Sequence, residues 1–144
     1  MGALLGMTPA ATAADGATLF KQCAACHLPT GAGVPGTYPP LASADFKAQA
    51  LTPAGRRYLV LVVLKGAIGP LTVDGKTYLS VMPAQLQLDD AGVAAVLNHV
   101  ATEIARVDER FQPFTTAEVA AVRAADGALN GQQVAAMHAE LSRG

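Results

Sequence analysis

The sequence predicts an all-α fold, and three observations support this prediction. Hydrophobic residues make up 51% of the 144 residues, yet only 5% are aromatic and tryptophan is absent. Much of the apolar content is therefore alanine, valine and leucine, a mixture rich in good helix formers. Capping residues precede several apolar segments, and loops rich in proline and glycine separate these segments. The length is sufficient for one hydrophobic core.

The first predicted helix, Gly16 to His27, contains the most informative motif of the chain. Asp15 precedes it as an N-cap. Cys23, Cys26 and His27 form a C-x-x-C-H motif, the spacing that serves covalent attachment of a c-type haem. On a helix both sulfurs lie on one face, where they can reach the two vinyl groups of a porphyrin, and the histidine can bind the iron.

Two alternatives to haem attachment are a thioredoxin-like dithiol and one half of a zinc site. A zinc site needs about four ligands, and the chain has no cysteine outside this motif. The motif therefore favours haem.

The segment after the motif alternates loops and helices. Residues 28–41 hold four prolines and three glycines, which predicts an ordered loop. A short helix is predicted over Asp45 to Ala50. Thr52 and Pro53 begin a further helix that ends at Gly66. Its centre is apolar on all sides, so we expect haem to cover one face and protein the other.

A hairpin and a long helix complete the predicted main domain. Asp74 and Gly75 predict a two-residue turn between residues 71–73 and 76–78. Asp89 caps a helix that continues to about Arg106. Apolar residues recur on this helix at intervals of three and four, which indicates one buried face.

The last part of the chain predicts two short helices, Thr116 to Ala125 and Gly131 to Leu141. Each follows a capping residue that is answered by Glu or Gln three positions on, the capping-box pattern. We divide the chain into a leader (1–14), a main domain (15–106) and a C-terminal extension (107–144). We expect the extension to pack on the main domain or on a partner.

The leader, Met1 to Ala14, is apolar, uncharged and rich in small residues. Ala11 to Ala13 resembles a signal-peptide cleavage site, which predicts export to the periplasm. Because a basic n-region is missing, we expect a longer precursor. The alternative is an alanine-rich leader that the mature protein retains. The segment is too short to span a membrane, which takes about 20 apolar residues.

The formal net charge of −1 argues against binding to nucleic acid or to an anionic membrane, since both need a basic surface. The chain has four lysines. We therefore expect partners to dock on an apolar edge and not on a ring of lysines.

Four features together resemble the class I c-type cytochromes, over about Asp15 to Arg106. They are Gly16 and Phe20 before the motif, Tyr38-Pro39-Pro40-Leu41, Val81-Met82-Pro83, and the capped helix Leu88 to Leu97. The Thr-Pro helix, the hairpin and the extension resemble, more narrowly, small bacterial cytochromes that are subunits or partners of periplasmic dehydrogenases.

The resemblance implies a cytochrome c fold, with helices around one covalently bound haem c. It implies that His27 and Met82 are the iron ligands, a pair that raises the reduction potential. It also implies that the carbonyl of Pro39 accepts the ring N–H of His27. Other predicted haem contacts are Leu41, Leu61 and Leu64 by packing, and Tyr58, Tyr78 or Arg56 by bonds to the propionates.

The remaining histidines and methionines have other predicted roles. Met82 could instead be a core methionine, but Met7 in the leader and Met137 in the extension are poor rivals as ligands. We expect His99 to pack near the first helix and His138 to face solvent. Arg56 and Arg57 otherwise read as a solvated helix face.

The predicted function is exported electron transfer by a monohaem protein, with no substrate bond made or broken. A periplasmic dehydrogenase is the expected donor, and an oxidase or another cytochrome the expected acceptor. One alternative is a haem subunit of a dehydrogenase complex (sulfite, alcohol or similar) that uses the extension as its interface. The other is a ligand-binding or catalytic haem protein with an open iron position.

Overall fold

Residues 15–142 are described by a computed structural model, and the predicted leader lies outside them. The helices are α1 (Gly16–His27), α2 (Ala44–Gln49), α3 (Pro53–Lys65), α4 (Asp90–His99), α5 (Thr116–Asp126) and α6 (Gly131–Leu141). A small antiparallel hairpin, β1 (Leu71–Val73) and β2 (Lys76–Tyr78), separates α3 from α4. The predicted all-α fold is confirmed. Within residues 15–142, no helix has the length and apolar character that crossing a membrane requires.

Helices α1 and α4 pack closely because Gly16 has no side chain. A Cβ atom at Gly16 would lie 2.3 Å from the carbonyl oxygen of Ala95. One turn further along, the rings of Phe20 and His99 stack with their centres 5.2 Å apart. His99 therefore packs against the first helix, as predicted. This contact fixes the helix that carries the cysteine motif.

Helix α3 is the centre of the fold. Thr52 caps its start by accepting the N–H of Gly55 at 3.1 Å, and Gly66 ends it at a φ of 74°. The apolar run could have formed a strand by propensity alone, but the cap, the proline and the terminal glycine make it a helix. Helices α2, α4, α5 and α6 all pack on α3, which explains why it is apolar on every side.

The hairpin turn is bonded to the start of α2. Asp74 and Gly75 both take positive φ angles, 49° and 80°, as the predicted two-residue turn requires. The N–H of Asp74 donates to Asp45 Oδ2, and the N–H of Asp45 donates to Asp74 Oδ1, both at 3.2 Å. This reciprocal pair holds the hairpin beside α2.

Helix α4 continues as a wider π-helical turn, Val100–Ile104, and the backbone turns away at Arg106, where φ is 54°. The N–H of Ala105 donates to the carbonyl of Val100 at 2.7 Å, the five-residue spacing of a π turn. The predicted helix to about Arg106 is therefore correct in extent, although its last turn is not α-helical.

The C-terminal extension packs on α3, α4 and β1, and its apolar side chains belong to the same core. Val119 of α5 and Val134 of α6 are fully buried there. The predicted capping box is complete at Asn130 and Gln133. It is incomplete at the start of α5, where Thr115 caps the backbone but the carboxylate of Glu118 bonds to α3 instead.

Candidate functional site

A largely apolar cavity opens between α1, α3, α4 and the loop that carries Met82. It holds ≈ 1240 Å³ of atom-free space, including open solvent at its mouth. Pockets for small ligands and cofactors measure about 300–1000 Å³, so this cavity suits a large cofactor. Most of the predicted site residues line it: Cys23, Cys26, His27, Pro39, Leu41, Tyr58, Tyr78 and Met82.

The two cysteines reach the cavity from the last turn of α1. Both are half-buried and both carry free thiols. Burial, together with the nearby Cys26, raises the pKa of the Cys23 thiol. Because the two residues lie three positions apart on one helical face, both sulfurs point to the same cofactor edge.

His27 is held in one orientation by the loop that follows α1. Its side chain is buried, and Nδ1 lies 2.9 Å from the carbonyl oxygen of Pro39. A carbonyl oxygen only accepts, so Nδ1 carries the proton and Nε2 keeps its lone pair. Burial lowers the pKa of His27 more than the Pro39 carbonyl raises it, which favours the neutral ring. A neutral imidazole with a free Nε2 can bind a metal.

Met82 is placed in the cavity by contacts of its backbone with the end of α3. Ala67 and Met82 exchange two N–H···O bonds, each 3.0 Å long. Gly66 permits this approach, because a Cβ atom there would lie 2.3 Å from the carbonyl oxygen of Met82. The N–H of Gln85 adds a bond to the carbonyl of Val63 at 2.9 Å. The loop is thus fixed against α3.

The structure corrects the prediction for Leu61, which lies outside the cavity and is fully buried in the protein core. Leu64, which was predicted with it, does not line the cavity either. The cavity face of α3 carries Leu59, Val62 and Val63. Residues three and four apart share a helical face, so Leu61 and Leu64 point to another side of the helix.

Arg56 and Arg57 also depart from their predicted roles. Arg56 does not line the cavity, and its guanidinium is bound to Glu118 of α5. Arg57 bonds to Asp126 at the end of the same helix, with two contacts of 2.8 Å. These two arginines therefore attach α5 to α3. They form neither a propionate site nor a solvated face.

His138 was predicted to face solvent, and the structure shows that it is 3% exposed and lines the cavity. Its ring stacks on Tyr58 with the centres 5.2 Å apart, and Nε2 lies 3.8 Å from Asp45 Oδ2. The sequence does contain one signal for this position. His138 lies four residues after the fully buried Val134, on the same face of α6.

Known proteins resemble this chain over most of its length. Residues 13–103 match the family model for cytochrome c. Cytochrome c-552 of Thermus thermophilus is 45% identical over 132 residues, which cover 89% of this chain and 97% of the relative. A second cytochrome c-552, from another strain designation of Thermus thermophilus, is also 45% identical over 132 residues, which cover 89% of this chain and 86% of that protein.

Proposed function

The chain belongs to the cytochrome c family, and from this premise we propose that it carries single electrons on a haem ligated by His27 and Met82. Members of this family are electron-transfer haem proteins with covalently bound haem, and redox proteins are their partners. The chain is accordingly an electron carrier and not an enzyme.

The observation that carries this proposal is the convergence of four groups on one cavity. Cys23 and Cys26 enter from α1, His27 follows them, and Met82 enters from a separate loop. Two thiols, a free imidazole nitrogen and a thioether are the groups that covalent haem attachment with His/Met ligation needs. When bound, the haem iron supplies a one-electron Fe(III)/Fe(II) couple.

The protein's own residues determine how that couple is used. The carbonyl of Pro39 fixes the ring plane of His27 and increases its basicity as a donor. Met82 offers a neutral, soft sulfur, which raises the reduction potential. Side chains such as Leu59, Val62 and Leu97 line the cavity and exclude water, which limits solvent reorganisation during transfer.

Replacing Met82 by alanine tests the ligation. In the holoprotein we expect Met82→Ala to lose the weak sulfur-to-iron absorption band, to become high-spin in the ferric state and to lower the potential. Met137→Leu is the matched control, because Met137 is a half-buried methionine of α6 outside the cavity lining. An unchanged spectrum in Met82→Ala would reject this ligand. Rapid binding of carbon monoxide by the reduced native protein would favour an open iron position.

We propose that the C-terminal extension, residues 107–144, packs on the main domain of a free carrier. The buried Val119 and Val134 support this, because they lie in the core formed with α3 and α4. Deleting the extension would remove part of that core, so the deletion does not separate a carrier from a dehydrogenase subunit, as the sequence had suggested.

Surface variants separate these two cases without disturbing the core. Ala121 on α5 and Ala136 on α6 are exposed. We expect Ala121→Arg and Ala136→Arg to leave electron exchange unchanged in a free carrier. In a subunit that binds its dehydrogenase through this face, the same variants would abolish copurification.

We further propose that the protein works in the periplasm, between a dehydrogenase as donor and an oxidase or another cytochrome as acceptor. The apolar leader with its Ala11-Thr12-Ala13 site supports export. Cell fractionation followed by N-terminal sequencing of the haem-containing protein tests this location. Recovery of the haem protein in the cytoplasmic fraction would contradict it.

The partner surface that we propose is apolar and surrounds Met82 along the chain. Leu79, Val81 and Leu86 are 72%, 57% and 86% exposed, an unusual degree for large apolar side chains so close together. Val81 also lines the cavity, so this surface adjoins the cofactor site. A short path through an apolar contact suits electron transfer to a redox protein.

A further inference from the structure

A polar cluster lines the cavity at the place where α2, α3 and α6 meet. His138 of α6 stacks on Tyr58 of α3, and its Nε2 lies 3.8 Å from Asp45 Oδ2 of α2. Within residues 15–142, no side-chain nitrogen or oxygen that is fully enclosed lacks a hydrogen-bond partner. The imidazole of His138 has only the long contact to Asp45, so its polar edge must reach the open volume of the cavity.

His138 is the group in the cavity that can supply positive charge. Within the described part of the chain, no lysine or arginine side chain lines the cavity. The other histidine of the lining, His27, already bonds to the carbonyl of Pro39. A haem brings two propionate carboxylates, and a carboxylate in a mostly apolar cavity needs a cation or hydrogen-bond donors. His138 and Tyr58 offer such partners.

The fold also places His138 away from the covalent attachment. Cys23 and Cys26 belong to α1, which packs on α4, whereas α6 packs on α3 and β1. Thioether bonds form at the vinyl side of a porphyrin, and the propionates leave the opposite side of the ring. A residue that enters the cavity from α6 is therefore suited to the propionate side.

We propose that His138, assisted by Tyr58, binds a haem propionate, and that its proton affinity depends on the redox state of the iron. This inference rests on the proposed electron-transfer function and extends it to a coupled proton. It assigns to the C-terminal extension a direct contact with the cofactor.

The local charges determine the direction of the coupling. Burial lowers the pKa of His138, and Asp45 opposes this effect. A propionate would add a second carboxylate, so that the imidazolium lies between two anions and its pKa rises. Burial and Asp45 also raise the pKa of Tyr58, so its hydroxyl stays a donor.

The other titratable groups near His138 are few. Asp74 contacts Asp45 through the backbone bonds described above, and Tyr78 of β2 lines the same cavity. On α6 itself Glu140 is exposed. Asp45 is thus the charged group that faces the imidazole directly.

Reduction of the iron removes one positive charge near the propionate side. His138 therefore binds its proton more tightly in the reduced protein than in the oxidised protein. By linkage, the reduction potential falls as the pH rises between the two pKa values of His138. We expect a difference on the order of one pKa unit, the scale of a unit-charge interaction across a partly buried site.

Two measurements on the holoprotein test the proposal. NMR of the imidazole of His138 across pH, in the ferric and the ferrous state, gives its pKa in each state. Potentiometry across the same pH range gives the dependence of the potential on pH. We expect a higher pKa in the ferrous state and a fall of the potential between the two values. Equal pKa values in both states would overturn the proposal.

Variants separate a role at the propionate from mere packing. His138→Gln should lower the potential and remove its pH dependence in this range, whereas His138→Arg should restore a high, pH-independent potential. The matched control is His99→Gln, since His99 packs on Phe20 outside the cavity lining and should keep the native pH dependence. A pH dependence that persists in His138→Gln would overturn the proposal.

These outcomes are distinct from failure of the proposed function. If the His138 variants show no coupling but Met82→Ala still loses the sulfur-to-iron band, the carrier function stands and only the propionate site is rejected. If His138→Gln does not fold, the two imidazole pKa values of the native protein decide the question alone.

Discussion

Arg56 and Glu118 form a two-point ion pair between α3 and α5. Arg56 Nε and Nη2 donate to the two carboxylate oxygens of Glu118, at 2.8 and 2.6 Å. Arg56 Nη1 also donates to the carbonyl oxygens of Gln112 and Ala50, at 2.7 and 3.2 Å. The guanidinium carbon lies 3.9 Å from the ring centre of Phe114. One side chain of α3 therefore binds both α5 and the linker before it.

We expect Arg56→Lys to lower the free energy of unfolding by about 1–3 kcal/mol, because an ammonium can keep neither the two-point pair nor the ring stacking. Urea unfolding of the holoprotein measures this change. Arg110→Lys is the control, since Arg110 pairs with Asp108 on the surface and should change nothing measurable. Equal effects of the two variants would contradict a special role for Arg56.

The helices of this fold could be predicted because their ends are coded locally. Asp15, Thr52, Asp89 and Asn130 each cap the helix that was predicted to follow them. A cap needs only the side chain and the next three residues, so a sequence window contains the whole interaction. The capping box at Thr115 failed for the same reason in reverse, because Glu118 bonds to the distant Arg56.

The site was predictable where spacing along the chain is enough and not where packing decides. The approach of Met82 and the C-x-x-C-H motif to one cavity was expected from their order along the chain. The orientation of α3 was not, because a helix that is apolar on all sides gives no sign of which face meets the cofactor. Leu61 was misplaced for this reason. His138 was misplaced because its burial depends on α2 and α3, far away in the sequence.

We expect Gly66→Ala to weaken the contact of Met82 with the cofactor. Gly66 has a φ of 74°, and a Cβ atom would lie 2.3 Å from the carbonyl oxygen of Met82. The loop must then move, so the ferric protein should lose part of the sulfur-to-iron band and become less stable by about 1–3 kcal/mol.

Gly75→Ala is the matched control for this prediction. Gly75 has a similar φ of 80°, but a Cβ atom there would meet nothing within 4 Å. It should cost about 1 kcal/mol for the backbone angle alone and leave the spectrum unchanged. If both variants kept the native band, the contact between Gly66 and Met82 would not position the ligand.

We expect Asp126→Asn to reduce the loss of stability at acid pH. Two hydrogen bonds from Arg57 lower the pKa of Asp126 below its ordinary value in the folded protein. A carboxylate with a lowered pKa stabilises the fold above its unfolded pKa of about 3.9, and this contribution is lost as the pH falls through the folded pKa.

The size of this effect is small, because Arg57 is half exposed. We expect less than about 1 kcal/mol near neutral pH, and none at a pH below the folded pKa of Asp126. Urea midpoints at several pH values, for Asp126→Asn, Arg57→Gln and the double variant, measure it. Because both single variants break one pair, the double variant should add little. Strict additivity of the two single effects would contradict the pair.

The apolar edge around Met82 should govern how fast the protein exchanges electrons. Self-exchange between the ferric and ferrous forms, measured by NMR exchange broadening, needs no known partner. We expect Leu86→Ser and Val81→Ser to slow it several-fold at unchanged absorption spectra, because both side chains are exposed beside the cofactor site. Since the contact is apolar, the native rate should change little with salt.

Ile68→Ser is the control for this last prediction, because Ile68 is 45% exposed but does not line the cavity. It should leave the self-exchange rate unchanged. A steep dependence on salt would instead indicate docking through charged side chains, and equal slowing by Ile68→Ser would show that any exposed apolar residue has this effect. Slowing confined to Val81 and Leu86 places the transfer contact beside Met82, which a chain with four lysines can form without a basic ring.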